Sequence, residues 1–231
     1  MKFETSLIPG KLIRRYKRFL ADVELEDGTI VIAHCTNSGS MISCIEEGAR
    51  VYLSPAKDPK RKTKFTWEMI EINNSWVGIN TSIPNQLVFE DVRDQQIPQL
   101  KGYTFVKREV KFEDSRFDIY AENETEKCFI EVKNVSMKVG DAALFPDSVT
   151  TRGRKHLETL IRVKQQGIRA VMVYIIQRMD VDSFGPAKHI DPDYANSLTK
   201  AIEAGVEVIA LQAEVKPEGI QIVKEIPFIS Q

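Results

Sequence analysis

Three cysteines in 231 residues, Cys35, Cys44 and Cys128, are too few and too irregularly spaced to form a framework. An odd count without a CxxC pair excludes a set of structural disulfides and a zinc knuckle, and a reducing cytoplasm is the expected setting. No run approaches the roughly 18 consecutive apolar residues of a membrane span. The opening Met1-Lys2-Phe3-Glu4-Thr5 lacks the apolar stretch of a secretion signal. Excess charge is also missing: 32 Lys and Arg against 33 Asp and Glu give a net charge of −1, which excludes a histone-like polycation. What is present is ordinary globular composition, 42% hydrophobic and 28% charged, at a length that suits one or two domains.

The charges are unevenly placed. Residues 1–20 hold six Lys or Arg against Glu4 alone, and residues 50–64 hold six against Asp58 alone. Residues 152–169 again hold six, against Glu158, whereas residues 84–131 carry seven basic and eleven acidic groups. Three basic clusters around an acidic centre are the pattern of a phosphate-tracking surface around a metal site. Taken singly, each cluster reads equally well as a solvated face.

The first eighty residues alternate short strand-like runs with turn signals. A charged run spans residues 12–25, Glu26-Asp27-Gly28 closes a hairpin, and β-branched or alternating runs follow at 29–34, 49–54, 65–70 and 76–79. Five short strands without a helix predict a small OB-like β-barrel over residues 1–82. From residue 83 the pattern changes. An amphipathic stretch, Gln86 to Arg93 with Asn85 in the N-cap position, precedes three strands near 103–112, 116–121 and 128–135. Then come a helix from Thr151 stopped by Gly167, a nearly all-apolar strand from Arg169 to Gln177, a helix from Pro192 and a strand from Val206. Residues 83–231 are therefore expected to form a mixed α/β (α+β) domain.

Within it, strand alternation puts Glu131 and Lys133 on one face, opposite Ile130 and Val132. Partly buried charges of that kind cost free energy unless they pair or meet a cation. Twelve residues intervene between Asp118 and Glu131, which is hairpin distance. Two carboxylates on adjacent rigid strands suit Mg²⁺ or Mn²⁺, which takes one or two protein carboxylates beside waters and substrate phosphate. Such an ion lowers the pKa of a bound water, and Lys133 would stabilise charge on the phosphate. A plain Glu131–Lys133 ion pair with Asp118 in a turn is the competing reading.

At this point the chain resembles a known family. The segments at residues 12–23 (LIRRYKRFLADV), 34–41 (HCTNSGSM), 115–118 (SRFD), 131–135 (EVKNV) and 145–157 (FPDSVTTRGRKHL) look like the signature blocks of the sugar fermentation stimulation protein A (SfsA) family, in order along nearly the whole chain. The resemblance implies an N-terminal OB-fold, a C-terminal domain similar to PD-(D/E)xK nucleases and DNA binding without strong sequence preference. It also implies a link to the expression of maltose-type sugar genes in bacteria. The nuclease-like motif carries over as Asp118, Glu131 and Lys133, with Phe117 where the wider pattern has Pro.

Around this core stand further candidates. Glu90 is a possible extra acid or simply a surface glutamate, and Glu109 a possible partner of Arg108 or Lys111. Arg152, Lys155 and His156 near a helix N-terminus suit a phosphate, and His156 reads equally well as a helix-surface residue or one that supports the site from behind. In the barrel, Arg14, Lys17 and Arg18 are read as strand residues tracking a phosphate backbone. Tyr16 is equally a stacking platform or core, and Phe19 is expected in the core. Lys60, Arg61, Lys62 and Lys64 form a basic loop, Trp67 and Trp76 are packing residues, and the 34–39 segment is either a plain turn or a loop whose amides hold an anion. The expected partner is DNA, with RNA as the alternative, and homo-oligomerisation is left open. An active nuclease is the rival to a non-catalytic DNA binder, and a small-molecule phosphate-handling enzyme is a third possibility.

Overall fold

The computed structural model describes residues 1–229. The first part of the chain forms β1 (Ile8–Tyr16), β2 (Leu20–Leu25), β3 (Ile30–His34), β4 (Arg50–Pro55), β5 (Phe65–Ile72) and β6 (Ser75–Gly78). They run in the order β3-β2-β1-β4-β5-β6, and a short parallel pairing of β3 with β5 closes the first five strands into a barrel. Leu12, Val23, Val51, Leu53, Ile70 and a fully buried Trp67 fill it, the indole nitrogen donating to the Met69 carbonyl at 3.0 Å. β6 leaves β5 through Asn73-Asn74, both at positive φ, where asparagine is the best tolerated residue other than glycine.

The run at 12–25 is a hairpin rather than one strand. Lys17 and Arg18 form its turn, at φ 49° and 64°, so they are not strand residues. The Arg15 guanidinium donates to the Arg18 carbonyl at 2.9 Å and steadies this left-handed pair. Phe19 follows the turn and is 48% exposed, contrary to the core placement expected for it. It stands at the hairpin end, outside the cluster of side chains that fills the barrel. Trp76 packs toward the second domain, in keeping with the packing role expected for it, its ring in a tilted pair with Tyr52 at 5.1 Å.

The remainder comprises α1 (Ile83–Arg93), β7 (Phe105–Phe112), β8 (Ser115–Glu122), β9 (Lys127–Val135), β10 (Met137–Val139), β11 (Ala142–Phe145), α2 (Thr151–Gln165), β12 (Arg169–Ile176), β13 (Ser183–Pro186), α3 (Pro192–Glu203), β14 (Glu207–Lys216) and β15 (Gly219–Glu225). Six of these strands make one mixed sheet, β15-β14-β12-β9-β8-β7, with β9, β12 and β14 parallel. Leu87, Val88 and Val92 of α1 cover one face, together with Met69 and Tyr52 from the barrel. Leu157, Leu160 and Val163 of α2 and Leu198 of α3 cover the other. β12 lies between both layers, which is why every residue from Ala170 to Ile176 is buried.

The α1 helix begins at Ile83 behind Ser82, so Asn85 is a helix-interior residue and not its N-cap. β10, β11 and β13 form a small separate sheet that the sequence pattern did not reveal. The two domains are joined tightly. The Gly78 amide donates to the Gln177 carbonyl at 2.9 Å, and a Cβ at Gly78 would lie 2.4 Å from the Gln177 side-chain oxygen, so only glycine allows the approach. No helix among the described residues is long and apolar enough to cross a membrane.

Candidate metal centre and nucleic-acid interface

The centre lies where two paired strands part. β8 and β9 pair from Glu122↔Lys127 down to Ile119↔Ile130, and the next residue on each strand is Asp118 and Glu131. Beyond that point β8 no longer supplies the ladder to β9. The Asp118 carboxylate takes its place, accepting the Val132 amide at 2.8 Å through Oδ2 and the Asn85 side-chain amide at 2.6 Å through Oδ1. Glu131, 2% exposed, points toward α2. Its Oε1 accepts from Lys133 Nζ at 2.5 Å and is in contact with His156 Nδ1. Lys133 Nζ lies 3.5 Å from the same imidazole nitrogen. The other oxygen, Glu131 Oε2, is buried without any hydrogen-bond partner.

The two carboxylates are held in opposite electrostatic states. Burial, reinforced by the negative charge of Glu131, pushes the Asp118 carboxyl up to about 6. Burial acts on Glu131 in the same direction, but Lys133 and His156 outweigh it and hold that carboxyl below its ordinary range. An unpartnered oxygen in a buried carboxylate costs about 1–3 kcal/mol or more. A divalent cation is the natural remedy. Among the described residues no three His, Cys, Asp or Glu side chains converge as metal ligands. The residues that could hold a divalent cation here are the two carboxylates of Asp118 and Glu131, an all-oxygen donor set of the kind hard cations take.

The sequence candidates divide sharply. Asp118, Glu131 and Lys133 come together. His156 joins them, 6% exposed and facing Glu131, which matches the supporting role weighed for it and not a DNA contact. Glu90 is absent from the centre, its carboxylate accepting from Gln86 at 2.8 Å along α1, and the residue α1 does contribute is Asn85. Glu109 sits within β7 at φ 56° and pairs with Arg116 at 3.3 Å, rather than with Arg108 or Lys111. The signal for Asn85 was its poor helix propensity in an otherwise regular amphipathic run.

Many of the basic candidates are occupied within the chain. Arg14 pairs with Asp22 at 2.8 Å and lies over the Tyr16 ring at 5.1 Å. Arg18 donates to the Ser38 carbonyl at 2.8 Å and Arg61 to the Phe65 carbonyl at 2.7 Å. Lys64 reaches the Pro59 carbonyl at 2.6 Å, and Lys155 pairs with Asp114 at 2.9 Å. Lys17, Lys60, Lys62 and Arg152 are exposed, and none of them takes part in an ion pair among the described residues. Within the 34–39 segment the Gly39 amide goes to the Asn37 side chain at 2.9 Å, and the amide that meets an anion lies just past it: the Asp147 carboxylate accepts from the Met41 amide at 3.2 Å. A Cβ at Gly39 would fall 2.2 Å from that carboxylate, so a larger residue there would displace Asp147 from its place.

Beside Lys133 the seam between the domains opens into a cavity of about 400 Å³. The barrel contributes the Thr36–Gly39 loop, and the second domain contributes the end of β9, the loop around Pro146 and the exposed Arg152.

Matches to known proteins agree with this architecture. The SfsA N-terminal OB domain matches residues 13–79, and the sugar fermentation stimulation protein RE domain matches residues 82–219. The chain belongs to the SfsA family. A relative named sugar fermentation stimulation protein homolog, from Geobacter metallireducens, is 47% identical over 99% of this chain and 100% of its own length. Its counterpart in Geotalea uraniireducens is 48% identical over 96% of each chain. The solved structure of Pyrococcus furiosus SfsA, described as in complex with Ca²⁺, superposes at a TM-score of 0.90 with 29% identity, covering 99% of this chain and 98% of that one. The family thus carries an OB domain followed by an RE domain, which in this chain are the barrel of β1–β5 and the mixed α/β domain that follows it.

Proposed function

We propose that this protein binds DNA along the basic seam between its domains and hydrolyses phosphodiester bonds at a divalent cation held by Asp118 and Glu131. The observation that carries the reading is Glu131 Oε2, buried and unpartnered at the strand fork, next to a carboxyl raised to about 6. A bound Mg²⁺ or Mn²⁺ would supply a water of lowered pKa and charge for the scissile phosphate. Asn85 orients Asp118, His156 orients Glu131, and the Lys133 ammonium sits where it can neutralise a phosphate oxygen. Lys17, Lys60, Lys62 and Arg152 supply sequence-independent phosphate contacts, so affinity is expected to fall steeply with salt. Supercoiled plasmid with Mn²⁺ or Mg²⁺ tests the claim. The parent should nick it and Asp118→Ala should not, and absence of nicking under either metal would leave only binding.

A second reading is DNA binding without cleavage, in a regulator of the sugar-fermentation genes that the relatives' name suggests. It is favoured by Glu131 Oε1, which Lys133 and His156 already occupy, so the centre is half neutralised without any ion. The same plasmid assay separates the two.

The Ca²⁺ described in the Pyrococcus relative supplies a non-cleaving probe for the centre. Asp118 has a folded pKa of about 6 against an ordinary value of 3.8. Between those values the folded chain binds more protons than the unfolded one, so this group's contribution to metal-free stability falls as pH rises from about 4 to above 6. A cation competes with that proton. The Tm gain from saturating Ca²⁺ should therefore be small at pH 5 and several degrees at pH 7.5, read by thermal melts at both pH values. Equal gains at both would place the ion elsewhere.

A further inference from the structure

The cavity beside Lys133 has walls that are built and braced, and this distinguishes it from a gap between two domains. On the barrel side, Arg15 donates to the carbonyls of Asn37 at 2.8 Å and Gly39 at 3.0 Å, and the Asn37 side chain accepts the Gly39 amide at 2.9 Å. Asp147 reaches across from the second domain to the Met41 amide at 3.2 Å, locking the two walls together. At the cavity's inner end, Asn134 is oriented by the fully buried Gln177, whose amide donates to Asn134 Oδ1 at 2.7 Å. The Asn80 side chain accepts from Thr36 at 3.4 Å, and Thr81 donates to the Thr36 hydroxyl at 3.0 Å, so the barrel loop is also tied to the interdomain segment. A cleft ordered from both sides before any ligand arrives is preorganised for one.

Its lining has two textures. Leu144, Phe145 and Pro146 give an apolar wall, while Asn37, Asn134 and Ser136 present amide and hydroxyl groups. Lys133 and Arg152 give it positive charge against the one carboxylate of the lining, Asp147, which the Met41 amide engages. A flat aromatic heterocycle bearing donors and acceptors and joined to a phosphate matches that combination. Size narrows the choice further. A volume of about 400 Å³ lies in the range that holds one small ligand, and a duplex far wider than such a cleft cannot enter it.

We infer that the cavity receives a single nucleotide lifted out of its stack, and that the strand presented to Lys133 is unpaired DNA. This rests on the reading of Asp118, Glu131 and Lys133 as a phosphodiester centre. The base enters between the Thr36–Gly39 loop and Pro146, its edge meets Asn37 and Asn134, and its phosphate stays beside Lys133 and Arg152. Extrusion from a paired duplex costs a few kcal/mol, and a single strand escapes that cost. Selectivity for unpaired DNA therefore follows from the cavity without any sequence reading by the protein.

The test is binding measured by fluorescence anisotropy in EDTA at low salt, where no strand is cut. It compares a labelled single-stranded oligonucleotide with the blunt duplex of the same length. The parent should bind the single strand at least tenfold more tightly. Ser38→Leu and Ser148→Leu, which narrow the cavity from opposite walls, should each lower single-strand affinity about fivefold or more and bring the ratio toward one. Their melting temperatures show that each variant is folded, and two separate walls guard against one substitution failing. Equal parent affinity for both forms overturns the inference, as does an unchanged ratio in two folded variants. If the plasmid is nicked yet duplex is preferred, only this inference falls. If neither form binds, the proposed function falls with it.

Discussion

Replacing Lys133 by Met is expected to slow metal-dependent nicking by about 10²–10³-fold while leaving the Ca²⁺-induced gain in Tm at pH 8 largely intact. Methionine keeps the unbranched stem, so the packing of a side chain that is only 15% exposed is preserved. What disappears is the ammonium 2.5 Å from Glu131 Oε1. Burial then raises the Glu131 carboxyl, because its largest opposing influence has gone. At pH 8 the carboxyl still ionises when a cation arrives. Lys133→Arg should not rescue the rate, since a planar, five-donor guanidinium cannot occupy the place of a compact ammonium between Glu131 and His156. Loss of both nicking and Ca²⁺ stabilisation would give a different meaning: Lys133 would serve only to keep Glu131 charged, and phosphate stabilisation would have to come from Arg152 or from the ion.

Asp118, Glu131 and Lys133 were legible in the sequence because their relation is local. A hairpin joins their strands, and strand alternation alone sets Glu131 and Lys133 on one face. His156 and Asn85 depend on something the pattern does not contain. His156 meets Glu131 only because α2 packs across β9 with that face turned inward, a matter of helix rotation over a sheet. Asn85 looked like an N-cap because it precedes an apolar run. The helix actually starts earlier, behind Ser82 with Pro84 in its first turn, and the freed amide turns to Asp118. The basic clusters misled in a more general way. Composition counts cations, but it does not say that Arg14 faces Asp22, that Arg18 and Arg61 brace carbonyls, or that Lys155 faces Asp114. The barrel was readable from turn chemistry and β-branched runs, and its closure by two residue pairs between β3 and β5 was not. Strands of three or four residues such as β10, β11 and β13 are too short to show a period of two.

Arg178→Met is expected to destabilise the protein by about 3–5 kcal/mol, the usual cost of breaking a buried ion pair from one side. At this chain length that corresponds to a fall in Tm on the order of 10 °C. Arg178 is 1% exposed at the junction of the two domains. Its guanidinium meets Asp180 through Nε at 2.7 Å and Nη2 at 2.9 Å. Nη1 donates to the Ser136 carbonyl at 2.6 Å and reaches Ser43 of the barrel at 3.3 Å. Burial pushes the Asp180 carboxyl up, but Arg178 and Lys138 outweigh it and hold it at about 2. That depressed value means the pair's contribution is present above the ordinary carboxylate range and is lost as pH falls toward 2. The variant should therefore differ most from the parent at neutral pH and least in acid. Adding Asp180→Leu should recover part of the loss, because the second change removes the charge left without its main partner. Urea unfolding at pH 7 and pH 3 checks both points. A neutral-pH loss below about 1 kcal/mol would mean that apolar packing around Met69 and Trp76 holds the domains together by itself. The guanidinium would then act only to set the position of Ser136, and with it one wall of the cavity beside Lys133.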